Sequence, residues 1–237
     1  MTVHDVPGVF NVRDVGGLPA DGGRTRDGVL FRSGHLARLT SEGRERLAAF
    51  GIRRIVDLRD EQERRDEPSR IDGLGVETVC LPMFAGSAAS FFDDDLSLDD
   101  LYRALVDGSA SRLVEVVRAV LAAQPVLVHC TVGKDRTGLS VALVLAAAGV
   151  DEDAVVADYA RTEHLLPEAR NDAVLRFLRA RYPHARHLED LATRSPAEAM
   201  RAVFEDLRLR YGGPVDYLRA YGLRDDEIAE LRRILIA

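Results

Sequence analysis

The chain has 237 residues, 46% of them hydrophobic, only two cysteines, and a formal net charge of −7. That is enough apolar material for one large domain spanning 1–237, or a domain carrying an insertion. The acidic balance excludes the basic face by which proteins hold nucleic acid, and two cysteines exclude a disulfide framework.

Residues 8–33 read as an N-terminal β-hairpin: Phe10 and Val12 alternate with polar neighbours, Gly22-Gly23 turn the chain, and Val29 to Phe31 return it. Arg13, Asp14 and Ser33 read as surface polar groups and turn ion pairs. Thr40-Ser41-Glu42 carries an N-cap signal for a helix that Gly51 ends. Ile55 to Leu58 form a short buried strand. Residues 60–67, DEQERRDE, are nearly all charged and read as a solvated turn of helix stopped by Pro68. Val76 to Leu81 make a third strand ended by Pro82. Cys80 lies on it and reads as a buried spectator, at least one strand away from Cys130. Residues 84–100, FAGSAASFFDDDLSLDD, form a candidate mobile flap of small residues with a Phe pair and an acidic cluster.

One or two amphipathic helices occupy 98–123, with Leu113, Val116, Val117 and Val120 on one face. After Pro125, Val126-Leu127-Val128 are too few for a helix and β-branched enough for a buried strand. Thr137 to Gly149 are apolar on nearly every side, as a buried helix requires. Helical patterns continue over 151–164, 167–181 and 196–211. Met200, Val203, Phe204 and Leu207 form a stripe that reads as core-facing, and two closing helices are separated by Gly222. The histidines at 164, 184 and 187 lack a metal-ligand partner set, so no metal is expected. Strands alternating with helices give an α/β fold with a largely parallel central sheet covered on both faces. Ligands bind beyond the carboxyl ends of such strands.

Between the central strand and helix lies Cys130-Thr-Val-Gly-Lys-Asp-Arg136. A strand-to-helix loop aims several N–H groups at one spot, and the helix adds its positive end, which suits a phosphate. Thr131, Val132, Gly133, Lys134, Asp135 and Arg136 would line it. Cys130 stands where a thiolate is favoured. The planar fork of Arg136 can grip two phosphate oxygens. His129 can brace the loop by ring N–H bonds to carbonyls, and the Thr137 hydroxyl is placed to donate to the thiolate. A thiolate beneath a bound phosphoryl group reads as covalent catalysis through a phosphocysteine. Lys134 is the only lysine in an arginine-rich chain. A compact ammonium there, partly wetted on the pocket rim, would meet a second anionic group on the substrate.

HCTVGKDRTG resembles the signature of cysteine-dependent protein tyrosine and dual-specificity phosphatases, and its GKDR core is most similar to the bacterial tyrosine/lipid phosphatases of the mycobacterial type. FNVRDVGGL, GVLFRSGHLARL, GIRRIVDLRDEQE and YLRAYGLRDDEIAELRRIL resemble the same subfamily, so the likeness spans most of the chain, weakest over 83–124 and 165–212. The resemblance implies a tyrosine-phosphatase-like fold, a helical lid within 165–211, Arg32 near the site, and export without a signal peptide in some relatives. It implies hydrolysis of phosphotyrosine, and of phosphoserine or phosphothreonine, with inorganic phosphate as product.

Cys130 would attack phosphorus while the loop N–H groups and Arg136 hold the equatorial oxygens. No cofactor or metal is called for, because Arg136 and the loop supply the positive field. Many relatives take their acid from a flap Asp shortly after a Pro, but no acid follows Pro82 until Asp93. Asp57, at the carboxyl end of its strand, is the first choice, and the subfamily has a matching Asp. Asp135 is second, and Asp93, Asp94 and Asp95 are third. The Lys134–Asp135 pair keeps a phosphoinositide open as substrate. A non-catalytic phosphate-binding module, sulfur transfer and arsenate reduction are the remaining alternatives. The partners expected are a phosphotyrosine protein or a phosphoinositide, with no nucleic acid. The chain has no run of about 18 apolar residues and no basic-then-apolar start, so no stable membrane insertion is expected and the location read is cytoplasmic.

Overall fold

Four short apolar strands run parallel at the centre of the computed structural model, which describes residues 2–83 and 92–237. In chain order the strands are β1 (Thr2–Val3), β2 (Arg13–Asp14), β3 (Pro19–Ala20), β4 (Gly23–Arg24), β5 (Leu30–Ser33), β6 (Arg54–Asp57), β7 (Glu77–Cys80) and β8 (Val126–His129). The main sheet has the order β1-β2-β5-β8-β6-β7. β5, β8, β6 and β7 are parallel, and β1 and β2 add an antiparallel margin. β3 and β4 pair apart, with Asp21-Gly22 at their turn. The hairpin read over 8–33 is therefore split: Phe10 and Val12 precede β2, and Gly22-Gly23 turns the small ribbon.

Period-two alternation explains why both faces of the sheet are covered. Leu30, Val56, Val126 and Val128 point into the larger core, while Phe31, Ile55 and Leu127 point to the other side, against Leu36, Leu39 and Leu47. That second face is closed by α1 (Ser41–Ala49). The Thr40 hydroxyl accepts from Gly43 N at 3.0 Å to start this helix, and Gly51 follows its end with φ +64°. Such a cap contributes about 1 kcal/mol.

The larger core is built on α5 (Asp135–Ala147), buried nearly throughout from Thr137 onward. Around it stand α3 (Leu98–Gly108), α4 (Ala110–Ala122), α6 (Glu152–Ala160), α10 (Pro214–Ala220) and α11 (Asp225–Leu235). Leu113, Val116, Val117 and Val120 face this core, as their spacing requires. α9 (Ala197–Tyr211) joins it through Met200, Val203, Phe204 and Leu207, each worth roughly 1.5–3 kcal/mol of burial. A 3₁₀ turn (Arg161–Leu165) follows α6. Beyond it, α7 (Glu168–Arg181) and α8 (Leu188–Ala192) share a small apolar cluster of their own around Leu178 and Leu188. α2 (Glu61–Asp66) completes the set. Among the described residues no helix is long and apolar enough to cross a membrane.

Two expectations are corrected here. Arg13, Asp14 and Ser33 are buried, not surface polar groups. Arg13 and Arg32 face each other across β2 and β5 and both pair with Asp158. Cys80 is exposed rather than buried, because β7 is the margin strand and its residues are largely open to solvent. It does lie two strands from β8, since β6 stands between them.

Candidate active site

Register brings the site together. Ser33 on β5 and Asp57 on β6 both pair with His129 at the end of β8, so three carboxyl ends lie level. Cys130 follows at once and is 3% exposed. The loop turns back over the strand ends and enters α5 at Asp135.

Hydrogen bonds to its carbonyls hold the loop open toward its centre. His35 N donates to Thr131 O at 3.1 Å, and Arg32 Nη2 donates to Gly133 O at 3.0 Å. With these carbonyls turned outward, the N–H of the next residue in each trans peptide turns inward. Gly133 N donates to Cys130 Sγ at 3.3 Å. Gly133 has φ +75°, and a Cβ there would come within 2.3 Å of Ser33 O, so the position requires glycine. His129 is fully buried and donates from Nδ1 to Cys130 O at 3.2 Å. Burial pushes its pKa down, with the nearby Asp57 carboxylate opposing, so the ring is neutral at pH 7. Thr137 Oγ1 is buried and makes no hydrogen bond with any described residue, so the donation to sulfur read from the sequence is not formed.

Arg136 reaches back to a residue the sequence reading passed over. Its Nη1 donates to Glu63 Oε2 at 2.6 Å and its Nη2 to Glu63 Oε1 at 2.7 Å. The Thr131 hydroxyl accepts from Arg136 Nη2 at 3.0 Å and donates to Glu63. Burial works against the charge on Glu63, but Arg136 and Thr131 pull its carboxyl down to about 2. Glu63 also accepts from Asp60 N in the capping box of α2. The capping box thus helps fix its carboxylate within its own helix. It sits in the charged run read as solvated; the one available signal was Asp60 three residues before Glu63.

Lys134 is 1% exposed and not on the rim. Its ammonium donates to Asp135 Oδ1 at 2.7 Å, to Arg194 O at 2.8 Å and to Asp190 O at 3.4 Å. It therefore ties the loop to the end of α8. Asp135 Oδ1 also accepts from the Tyr102 hydroxyl at 3.2 Å, which lies 2.9 Å from the Tyr159 hydroxyl. Burial pushes Tyr102 well above its ordinary range, so it remains a donor.

Asp57 is buried against Arg59, accepting from Nη2 at 2.7 Å and from Nε at 3.0 Å. Burial alone would raise its pKa; the hydrogen bonds and charge of Arg59 prevail and hold it below the usual carboxylate range. Asp95 is taken up by Arg186, whose Nε donates to Oδ2 at 2.8 Å. The flap read over 84–100 lies outside the described residues for 84–91.

A cavity of about 440 Å³ opens beside Thr131 and Val132. Phe10, Val174 and Phe177 give it an apolar wall, and Arg38 and Arg170 stand at its edge.

A buried cysteine under inward N–H groups, followed by a forked arginine at the head of a buried helix, defines a cysteine-dependent phosphatase site. The chain belongs to the tyrosine phosphatase family, whose family model matches residues 4–237. It is 31% identical over 284 aligned positions to the triple specificity protein phosphatase PtpB of Mycobacterium tuberculosis, covering 100% of both chains. It is 31% identical to a tyrosine-protein phosphatase of Nostoc commune, covering 91% of this chain and 74% of that one. A crystal structure of Pseudomonas aeruginosa TpbA is also similar, at 18% identity and a TM-score of 0.40, covering 78% and 94% of the two chains.

Proposed function

We propose that the protein hydrolyses phosphotyrosine in proteins through a phosphocysteine, and accepts other phosphomonoesters that fit the same cradle. Cys130 Sγ attacks phosphorus, the bond to the ester oxygen breaks, and that oxygen takes a proton from the acid. Water then attacks phosphorus, the S–P bond breaks, and inorganic phosphate leaves. The observation that carries this reading is the Gly133 N–H on Cys130 Sγ, in a loop whose carbonyls at Thr131 and Gly133 are held outward. The loop N–H groups would hold the equatorial oxygens, and the Arg136 fork would join them by exchanging Glu63 and Thr131 for the phosphate.

Asp135 is the acid we favour. Its Oδ1 is occupied by Lys134 and Tyr102, its side chain is 21% exposed, and it heads α5 beside the cradle. Asp57 is committed to Arg59 and held ionised, which supports a bracing role for it. The apolar cavity beside Thr131 fits an aromatic ring with its flanking peptide, and α7 with α8 would serve as the lid over it. The burial of Lys134 weakens the case for a phosphoinositide, which rested on that side chain. Both cysteines are free, which suits a reducing compartment, and we place the enzyme's work in the cytoplasm.

Cys130→Ser should lose essentially all turnover of an aryl phosphate while inorganic phosphate still binds. Rates near wild type would end the covalent mechanism. Asp135→Asn should slow phenyl phosphate by about 10²–10⁴-fold, the scale of general acid catalysis, and para-nitrophenyl phosphate far less, since that leaving group needs no proton. Equal losses on the two esters would return the acid role to another carboxylate.

A further inference from the structure

Beneath the loop lies a set of buried polar groups that the hydrolysis described above does not use. Arg13 Nε donates to Asp158 Oδ1 at 2.7 Å, and Arg32 Nη1 donates to Asp158 Oδ2 at 2.6 Å. Two guanidinium groups share one carboxylate away from water, so this network carries a surplus positive charge. Burial, with the neighbouring Arg32, brings the Arg13 pKa down to about 10. Arg13 Nη2 is spent on Asp158 O at 2.9 Å and Thr162 Oγ1 at 3.1 Å, and Nη1 donates to Asn11 Oδ1.

Asn11 is the unusual member. Its φ is +61°, the left-handed region, which side chains rarely adopt. It is 5% exposed. In this conformation its Nδ2 donates to Gly133 O at 2.9 Å and lies 3.5 Å from Val132 O. Arg32 Nη2 donates to the same Gly133 oxygen at 3.0 Å. One carbonyl thus takes two side-chain donors from the far end of the sequence.

The reason lies in Gly133. Glycine lets the peptide that follows it turn over at little cost. That peptide is planar and trans, so its C=O and the Lys134 N–H point opposite ways. Turned one way, it offers an N–H to the bound phosphate; turned the other, it offers a carbonyl oxygen and repels it. We propose that Asn11 and Arg32, held in place by Arg13 and Asp158, are positioning residues that select the orientation in which Lys134 N–H faces the phosphate. This rests on the reading of the Cys130 loop as a phosphate cradle. Asparagine tolerates this conformation better than other side chains, and here it aims the amide that fixes a donor of that cradle.

The test uses para-nitrophenyl phosphate turnover with inorganic phosphate as competitive inhibitor. Wild-type turnover inhibited by phosphate checks the cradle itself; its absence would overturn that reading and this one together. Asn11→Gly keeps the left-handed backbone and removes the amide. Asn11→Asp keeps the size and sets a carboxylate against the Gly133 carbonyl. We expect kcat/KM to fall about tenfold in the first and about a hundredfold in the second, approaching the 10²–10³ of a lost oxyanion donor. The phosphate inhibition constant should rise in parallel, and it does not depend on the fraction of molecules folded. Arg32→Lys, which keeps a cation for Asp158 but cannot also reach Gly133 O, should raise the same constant, and it decides the matter should Asn11→Gly not fold. With wild-type turnover intact, inhibition constants within twofold of wild type in the folded variants, or a loss confined to Tm, would overturn the proposal alone.

Discussion

Arginines fix the Cys130–Arg136 loop at two places, one arginine at its mouth and two on its floor, and the two places are built differently. At the mouth Arg136 meets Glu63 one to one, with side chains 13% and 24% exposed. On the floor Arg13 and Arg32 share Asp158, and no side chain of the three is more than 1% exposed. The mouth pair is neutral and touches water, so solvent moderates its attraction. That suits a guanidinium which, on the proposed mechanism, exchanges its carboxylate partner for a phosphate. The floor is enclosed, and enclosure makes its geometry stiff. The arginine proposed to handle the ligand has its partner at the water's edge; the arginines proposed to shape the backbone are sealed in.

The sharpest way to break this comparison is Asp158→Asn. It leaves two buried cations without their counter-charge, and losing one partner of a buried ionic group costs about 3–5 kcal/mol. Urea unfolding at pH 7 reads it directly, and a loss below about 1 kcal/mol would make floor and mouth alike. Glu63→Gln is the matching change at the mouth. It should lower kcat/KM by about tenfold, the scale of one displaced hydrogen bond to a charge, and lower the urea midpoint at pH 7, by less than Asp158→Asn does. Its signature is in acid. The Glu63 carboxyl sits at about 2 against an ordinary 4.5. Its contribution to stability is therefore complete above about pH 4.5 and is lost as the pH falls toward about 2. The variant should lack that part of the acid limb. A limb unchanged from wild type would show that Arg136 does not stabilise the Glu63 charge. The smallest effect concerns Lys134→Ala. With its ammonium on two carbonyls and Asp135, it should reduce kcat/KM equally for phenyl phosphate, a phosphotyrosine peptide and a phosphoinositide. A loss concentrated on the phosphoinositide would put the ammonium back in contact with substrate.

The sheet and its central loop were legible because their signals are local. A β-branched run, a glycine-bearing loop and a buried helix follow one another without interruption from Val126 to Ala147. The stripe on α9 was legible for the same reason. What escaped is carried by distance in sequence. Arg13 meets Asp158 across 145 positions, and nothing near either residue announces the other. Glu63 stands among acids and bases that do face solvent, and only Arg136 distinguishes it. Lys134 was placed on the rim because a lone charge in a binding loop suggests a ligand contact; the carbonyls of Asp190 and Arg194 that enclose it come from a part of the chain with weak patterning. Cys80 shows a further limit: an apolar run identifies a strand but not whether another strand covers its flank.

The seclusion of Lys134 also has a bearing on how the protein can be handled. It bears the only ε-amine of the chain, and that amine is enclosed. Reagents and surfaces that couple to lysine therefore find no side chain to attack on the native molecule. The exposed thiol of Cys80, two strands from the one that ends in Cys130, is left as the natural point of attachment for a dye or a tether, once Cys130 has been masked by a bound oxyanion.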